Sequence, residues 1–182
     1  LGADAVAAVL AGNPDVKLVR NGSRGMIWLE PLVEVQEGDG PRMAYGPATA
    51  ADIPAILDGT SDKALGPTED LPWMKRQTRL TFQRVGVIDP LCLRDYEAHG
   101  GLVGLRRALE MTGAEIVTEV TDSGLRGRGG AGFPTGIKWN TVAGAEATQK
   151  YIVCNADEGD SGTFADRMLM EGDPFTLIEG MA

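Results

Sequence analysis

Six of the thirteen residues from Gly124 to Gly136 (GLRGRGGAGFPTG) are glycine, within a 182-residue chain that holds 25. So many positions without a Cβ cannot sustain a helix or a strand, so this stretch must be a loop. Consecutive glycines let backbone N–H groups approach an anion closely and take positive φ, the makings of a phosphate nest. Arg126, Arg128 and Lys138 add positive charge, and a helix beginning between Thr135 and Lys138 would add the field of its N-terminus. A flexible connection is the bland alternative. The basic residues and Phe133 favour a ligand loop.

Two familiar phosphate motifs do not apply. Residues 127–132 match G-x-G-x-x-G in form, but that fingerprint needs a strand directly before it. Here Thr112 and Glu115 read as a capping box, and Ile116 and Val120 share one face of a helix that ends at Ser123-Gly124. The P-loop spacing also fails, because Lys138 is followed by Trp139.

A second constellation follows an apolar run, Tyr151–Cys154, which reads as a strand leading into Asn155, Asp157, Glu158, Gly159 and Asp160. Open α/β sheets place ligand-binding groups at such strand ends. Carboxylates and an amide there can bind sugar hydroxyls or ring heteroatoms; a solvated acidic turn is the alternative. A calcium loop is disfavoured, since Asp160 stands where such a loop needs glycine.

Along the chain, residues 3–11 read as a helix, with β-like runs at Val16–Arg20, Pro31–Gln36 and Arg42–Gly46. Thr49 and Asp52 cap a helix through Ile53, Ile56 and Leu57, closing a first unit at 1–58. Residues 59–80, with Gly66-Pro67 and Leu71-Pro72, read as a linker that packs loosely or wraps a neighbour. A second unit spans 81–182, with Leu102, Leu105 and Leu109 at helical spacing and Asp173-Pro174 opening a last helix. The expected class is α/β.

Two cysteines, Cys92 and Cys154, cannot supply a four-thiolate zinc site or an iron–sulfur cluster from this chain alone, and both read as packing residues. His99 reads as a turn residue, and Trp28, Trp73 and Trp139 as packing residues. A net charge of −9 argues against nucleic acid. No apolar run is long enough for membrane insertion, so the expected location is cytoplasmic. Because the chain starts at Leu1 and ends within a helical pattern, we read it as a piece of a longer polypeptide.

The segments GLRGRGGAGFPTGIKW (124–139) and NADEGDSGTFADR (155–167) resemble the flavin-bearing, NAD(H)-binding subunit shared by respiratory complex I, NAD-reducing hydrogenases and NAD-dependent formate dehydrogenases. Residues 89–120 resemble that family's helical lead-in, so the likeness covers about residues 80–182. It implies the N-terminal part of a Rossmann-like FMN-binding domain. The first unit resembles the end of a thioredoxin-like module, with Ser23 and Ile27 where relatives carry two cysteines of a [2Fe–2S] site. Without those thiolates the module is structural or a docking surface. The degenerate module, GDSGTF and DRMLMEGDPF are most similar to the formate dehydrogenase branch.

The resemblance implies a joint site for FMN and NAD(H). By position, the Gly127-Arg128-Gly129-Gly130 loop and Lys138 would cradle FMN. Asn155, Asp157 and Glu158, with Gly159 beside them, would hold its ribityl chain and ring. Phe133 would pack on the adenine. Asp160 stands where relatives have a glutamate that contacts NADH, and Thr141 where some have a second aromatic. The implied chemistry is hydride exchange between nicotinamide and flavin, with single electrons passing to or from iron–sulfur clusters; no catalytic acid or base and no metal ligand is assigned in this chain. Implied partners are a molybdopterin and iron–sulfur catalytic subunit and a small [2Fe–2S] thioredoxin-like subunit. A later glycine-rich segment and a [4Fe–4S] motif are expected beyond Ala182, so the chain alone should bind FMN weakly and lack diaphorase activity. A hydrogenase or complex I-like diaphorase subunit, or a non-catalytic scaffold, are the alternatives.

Overall fold

The computed structural model describes residues 2–182. Helix α1 (Ala3–Leu10) buries Val6 and Leu10, four residues apart and so on one face. Strands β1 (Val33–Val35), β2 (Met43–Tyr45) and β3 (Ala64–Pro67) form an antiparallel sheet in that order. Val33 lies opposite Tyr45 and Ala44 opposite Gly66, with a register shift beside Ala44 on the β2–β3 side. The capping box expected at Thr49 is present: its N–H donates to Asp52 Oδ2 at 2.7 Å, opening a 3-10 turn that continues into α2 (Ile53–Leu57). Val6, Leu10, Tyr45, Ala48, Ile53 and Ile56 make the core of this unit.

Two expectations change here. Val16–Arg20 is not a strand, while β3 falls within 59–80, the stretch read as a linker. Gly66 and Pro67 look like breakers locally, yet pairing with β2 recruits them into an edge strand, where a sheet tolerates proline. The sheet is wholly antiparallel, and its third strand lies beyond residue 58. Beyond β3 come a 3-10 turn (Thr68–Asp70) and the short α3 (Pro72–Lys75).

The remainder is helical: α4 (Leu93–Ala98), α5 (Val103–Ala108), α6 (Gly113–Asp122), α7 (Thr135–Gly144), α8 (Ala165–Gly172) and α9 (Pro174–Met181). Thr112 and Glu115 cap α6, and Asp173 caps α9 by accepting from Thr176 N–H, both as expected. The helices lock onto the first unit at glycines. A Cβ on Gly172 would stand 2.6 Å from Val85 Cγ1, and one on Gly22 would stand 2.5 Å from Gly172 Cα. Helices α6 and α7 cross as closely, since a Cβ on Gly136 would overlap Thr121 Oγ1.

No parallel sheet forms among the described residues. Tyr151–Cys154, expected as a strand, forms no regular element and is unpaired among the described residues, and Tyr151, Ile152 and Val153 are 79%, 67% and 83% exposed. A strand exists only through the ladder it shares, and none of the described residues supplies its neighbour. Cys154, expected to be buried in packing, is therefore exposed. Trp28, Trp73 and Trp139 also keep much of their surface in solvent. No described helix is long and apolar enough to cross a membrane.

Candidate functional site

The glycine loop is pinched at its base and open at its tip. Gly127 N–H donates to the Phe133 carbonyl at 2.8 Å and Thr135 N–H to the Leu125 carbonyl at 2.9 Å, so the two sides of the loop run antiparallel. Arg126 Nε reaches across to the Gly132 carbonyl at 2.6 Å, which commits that guanidinium to loop closure. Residues 128–132 then project as a turn, and Gly130 (φ 98°) and Gly132 (φ 59°) take left-handed backbone that glycine alone adopts readily. The N–H groups of Arg128, Gly129, Gly130, Ala131 and Gly132 have no partner among the described residues, and a Cβ on Gly129 or Gly130 would meet nothing within 4 Å. Open N–H groups on bare backbone are what an anion nest requires.

Helix α7 starts at Thr135, directly after this loop, and its N-cap position, Pro134, brings no side-chain acceptor. With Thr135 N–H committed to Leu125, the N–H groups of Gly136 and Ile137 have no partner among the described residues, and the helix dipole adds its field beside the loop. Lys138 Nζ stands 5.6 Å from the centre of the Phe133 ring, a cation–π distance that joins two of the expected site residues. Neither Lys138 nor Arg128 forms an ion pair among the described residues, so both charges stay free for a ligand.

The acidic segment is organised around its own backbone. Asn155 Oδ1 accepts from Asp157 N–H at 3.2 Å, a local turn. Glu158 sits at φ 50°, and its carboxylate accepts from Asp166 N–H at 2.9 Å and Arg167 N–H at 3.1 Å. These are the orphan donors of the α8 N-terminus. Phe164 occupies the N-cap and has no acceptor to offer, so Glu158 supplies one from eight residues upstream. The carboxylates of Asp157 and Asp160 make no hydrogen bond or ion pair among the described residues, and a Cβ on Gly159 would lie 3.1 Å from Asp157 Oδ2.

The structure thus unites Gly127, Arg128, Gly129, Gly130, Phe133 and Lys138 in one loop and helix start. Asn155, Asp157, Glu158, Gly159 and Asp160 form a separate exposed turn, and no hydrogen bond links the two groups among the described residues. The capping by Glu158 was not legible in sequence, because caps are recognised at three-residue spacing and this one spans eight. Leu125 and Thr135, which close the loop through backbone groups, carry no side-chain signal at all.

Elsewhere in the helical part, a polar network ties residues 84–105 to Asp173 and α9. Arg84 Nε pairs with the fully buried Asp173 at 2.8 Å, and the Tyr96 hydroxyl donates to Glu179. Glu179 also accepts from Leu102 N–H at 2.7 Å and Leu105 N–H at 3.0 Å. Burial alone pushes the Glu179 carboxyl upward, but the bonds from Tyr96, Leu105 and Leu102 with the charge of Arg84 outweigh it and hold the group below its ordinary value. Burial first, then the Glu179 carboxylate, raises the Tyr96 phenol.

The chain is 56% identical over 108 residues to the NADP-reducing hydrogenase subunit HndC of Solidesulfovibrio fructosivorans, covering 59% of this chain and 22% of that protein. It is 57% identical over 102 residues to a subunit of the NADH-quinone oxidoreductase of Rhizobium meliloti, covering 56% and 24%. It is 48% identical over 77 residues to the alpha subunit of the NAD-reducing hydrogenase HoxS of Cupriavidus necator, covering 42% and 13%. The chain spans about a quarter or less of the length of these curated relatives. The pinched glycine loop, α7 and the acidic turn all lie within residues 120–182, and this segment matches the family described as the Nuo51 FMN-binding domain.

Proposed function

We propose that this chain is part of an electron-transfer subunit that exchanges hydride between NAD(H) and FMN and passes single electrons to or from iron–sulfur clusters of partner subunits. The observation that carries the reading is the open glycine loop at the start of α7, within the segment that matches the FMN-binding family. Bound FMN supplies the two-electron exchange with nicotinamide and the one-electron exchange with clusters. The residues of the chain bind and orient. The free N–H groups of Arg128, Gly129 and Gly130 and the Lys138 ammonium offer a phosphate cradle, and Phe133 offers a flat face for the adenine of the dinucleotide. Asn155, Asp157, Gly159 and Asp160 offer polar contacts to the ribityl chain and to NADH, while Glu158 holds the turn that presents them. Residues 81–182 form the N-terminal portion of this domain in our reading, with a [4Fe–4S] cluster elsewhere in the subunit.

For the partner, two assignments have specific support. The formate dehydrogenase branch is favoured by Gly159-Asp-Ser-Gly-Thr-Phe164 and by Ser23 and Ile27 in a module without cluster cysteines. The identity to HndC favours a hydrogenase. A molybdopterin subunit or a nickel–iron subunit encoded beside this one, and formate- or hydrogen-dependent NAD reduction by the purified complex, separate them.

The test is the flavin content of the complete subunit. A yellow preparation that reduces dye with NADH, and loses flavin on Lys138→Ala, is expected. A colourless, inactive preparation makes the chain a scaffold, and unchanged flavin content in Lys138→Ala removes that residue from the site.

A further inference from the structure

Residues 71–88 contain Lys75, Arg76, Arg79 and Arg84 and not one carboxylate, in a chain whose net charge is −9. Arg84 is used internally by Asp173, and Lys75 meets Asp70 at 3.0 Å on the surface. Arg76 and Arg79 form no ion pair among the described residues. Arg76 is exposed. Arg79 is half-buried, and with Arg24, Glu69, Gln77 and Gln83 it lines a cavity of about 340 Å³ whose single carboxylate is already paired with Arg24. Arg24 pairs with Glu34 and Glu69 at 2.8 Å each, and burial, then the Arg24 charge, disfavour the Arg79 cation more than those two carboxylates favour it from a distance. The Gln77 and Gln83 side chains make no hydrogen bond to the described residues. An unpaired, half-buried guanidinium beside two idle amides is an arrangement an incoming carboxylate would relieve.

Helix α3 joins this cavity to an aromatic anchor. Met74 lines the cavity, and the preceding residue, Trp73, packs edge-on against Trp28 with ring centroids 5.2 Å apart. Both indoles remain about half exposed, Trp28 at 58% and Trp73 at 45%, with Ile27 beside them at 51%. Tryptophan and arginine are the side chains most enriched at the energetic centres of protein interfaces. A small anion would use the cavity and leave the indoles idle.

We propose that the α3 face docks an acidic segment of a partner protein, whose carboxylates meet Arg76 and Arg79 and whose apolar side chain covers the Trp28–Trp73 pair. Charge complementarity selects this occupant over others. A two-fold contact with a second copy would set Arg76 and Arg79 against their own equivalents. An anionic membrane surface would repel the acidic remainder of the chain, and α3, at four residues, is too short to lie in a bilayer interface. That the partner is another subunit of an electron-transfer complex rests on the functional reading above; the surface itself does not.

The experiment titrates the purified full chain with a fluorescein-labelled peptide, Glu-Asp-Glu-Glu-Phe-Leu-Glu-Asp-Glu, followed by anisotropy and tryptophan fluorescence. A scrambled lysine-for-glutamate peptide and phosphatidylserine vesicles serve as comparisons. The acidic peptide should bind, shift the tryptophan emission and weaken with salt. Arg76→Glu, which is exposed and cannot disturb the core, should weaken it about tenfold, as should Arg79→Glu and Trp73→Ala, while Arg94→Glu on α4 should leave it unchanged. Equal affinity in the wild type and Arg76→Glu overturns the proposal. So does binding of vesicles in place of the peptide, or self-association in sedimentation velocity that Arg76→Glu abolishes. Flavin content in Arg76→Glu is read in parallel, so loss of the flavin reading and loss of the docking surface register as separate results.

Discussion

The hydroxyl of Tyr96 donates to the carboxylate of Glu179, joining α4 to α9 across 83 positions of sequence. The same carboxylate caps the N-terminal turn of α5 through Leu102 and Leu105, so a single side chain from α9 fixes three helices. Tyr96 is 1% exposed, and its ring packs so closely on Gly101 that a Cβ there would overlap Cδ1. The polar bond and the close approach enforce one another.

Replacing Glu179 by Ala leaves the Tyr96 hydroxyl and two N–H groups without their acceptor. The expected loss is about 2 kcal/mol of stability, read as a thermal midpoint lower by about 6 °C. Glu179→Gln should recover part of it, because the amide oxygen still accepts. An unchanged midpoint in Glu179→Ala shows that the bond contributes nothing net.

Acid should unfold the protein through carboxylates held below their ordinary values. The hydrogen bond from Lys63, then those from Thr49, lower Asp52 from 3.8 to about 2, and hydrogen bonds from Thr112 lower Glu115. Glu179 is lowered as well. A depressed folded pKa contributes stability that is present above the unfolded value and is lost as pH falls through the folded one. The thermal midpoint should therefore hold from pH 7 to about 5 and decline below about 4. The raised Tyr96 phenol acts at the other end, adding stability below its unfolded value near 10 that is lost in alkali.

Gly172 and Gly180 both lie in C-terminal helices, yet alanine should affect them in opposite directions. At Gly172 the new methyl meets Val85 and the Gly22 backbone, and overpacking of about 1–3 kcal/mol is expected. At Gly180 nothing lies within 4 Å, so the helix gains up to about 1 kcal/mol from the better helix former. Chemical denaturation of the two variants decides, and equal effects would remove the close approach of α8 to Gly22.

Glu158→Ala should cost about 1 kcal/mol locally by uncapping α8, read as faster hydrogen exchange at the amides of Asp166 and Arg167. In the complete subunit its flavin content should fall because the turn is no longer held. If flavin content falls while exchange at those two amides is unchanged, Glu158 contacts the flavin directly instead.

Local chemistry was legible wherever neighbours in sequence are also the partners in space. The capping boxes at Thr49 and Thr112, the stop at Gly124, the start of α7 at Thr135 and the Asp173 cap all depend on bonds spanning a few residues, and all are present. The glycine loop was likewise legible as a loop, because bare backbone at six of thirteen positions leaves nothing else. Position in space was not. Ala64–Pro67 became a strand only by pairing with β2, and Tyr151–Cys154, strand-like in every residue, stayed unpaired among the described residues because a ladder needs a neighbour that propensity cannot supply. Glu158 turned to α8, Glu179 to α5, and Gly22 to Gly172 across 150 positions. Each of those choices depends on which distant groups the folded chain brings within hydrogen-bond or van der Waals reach, and sequence spacing carries no record of that distance.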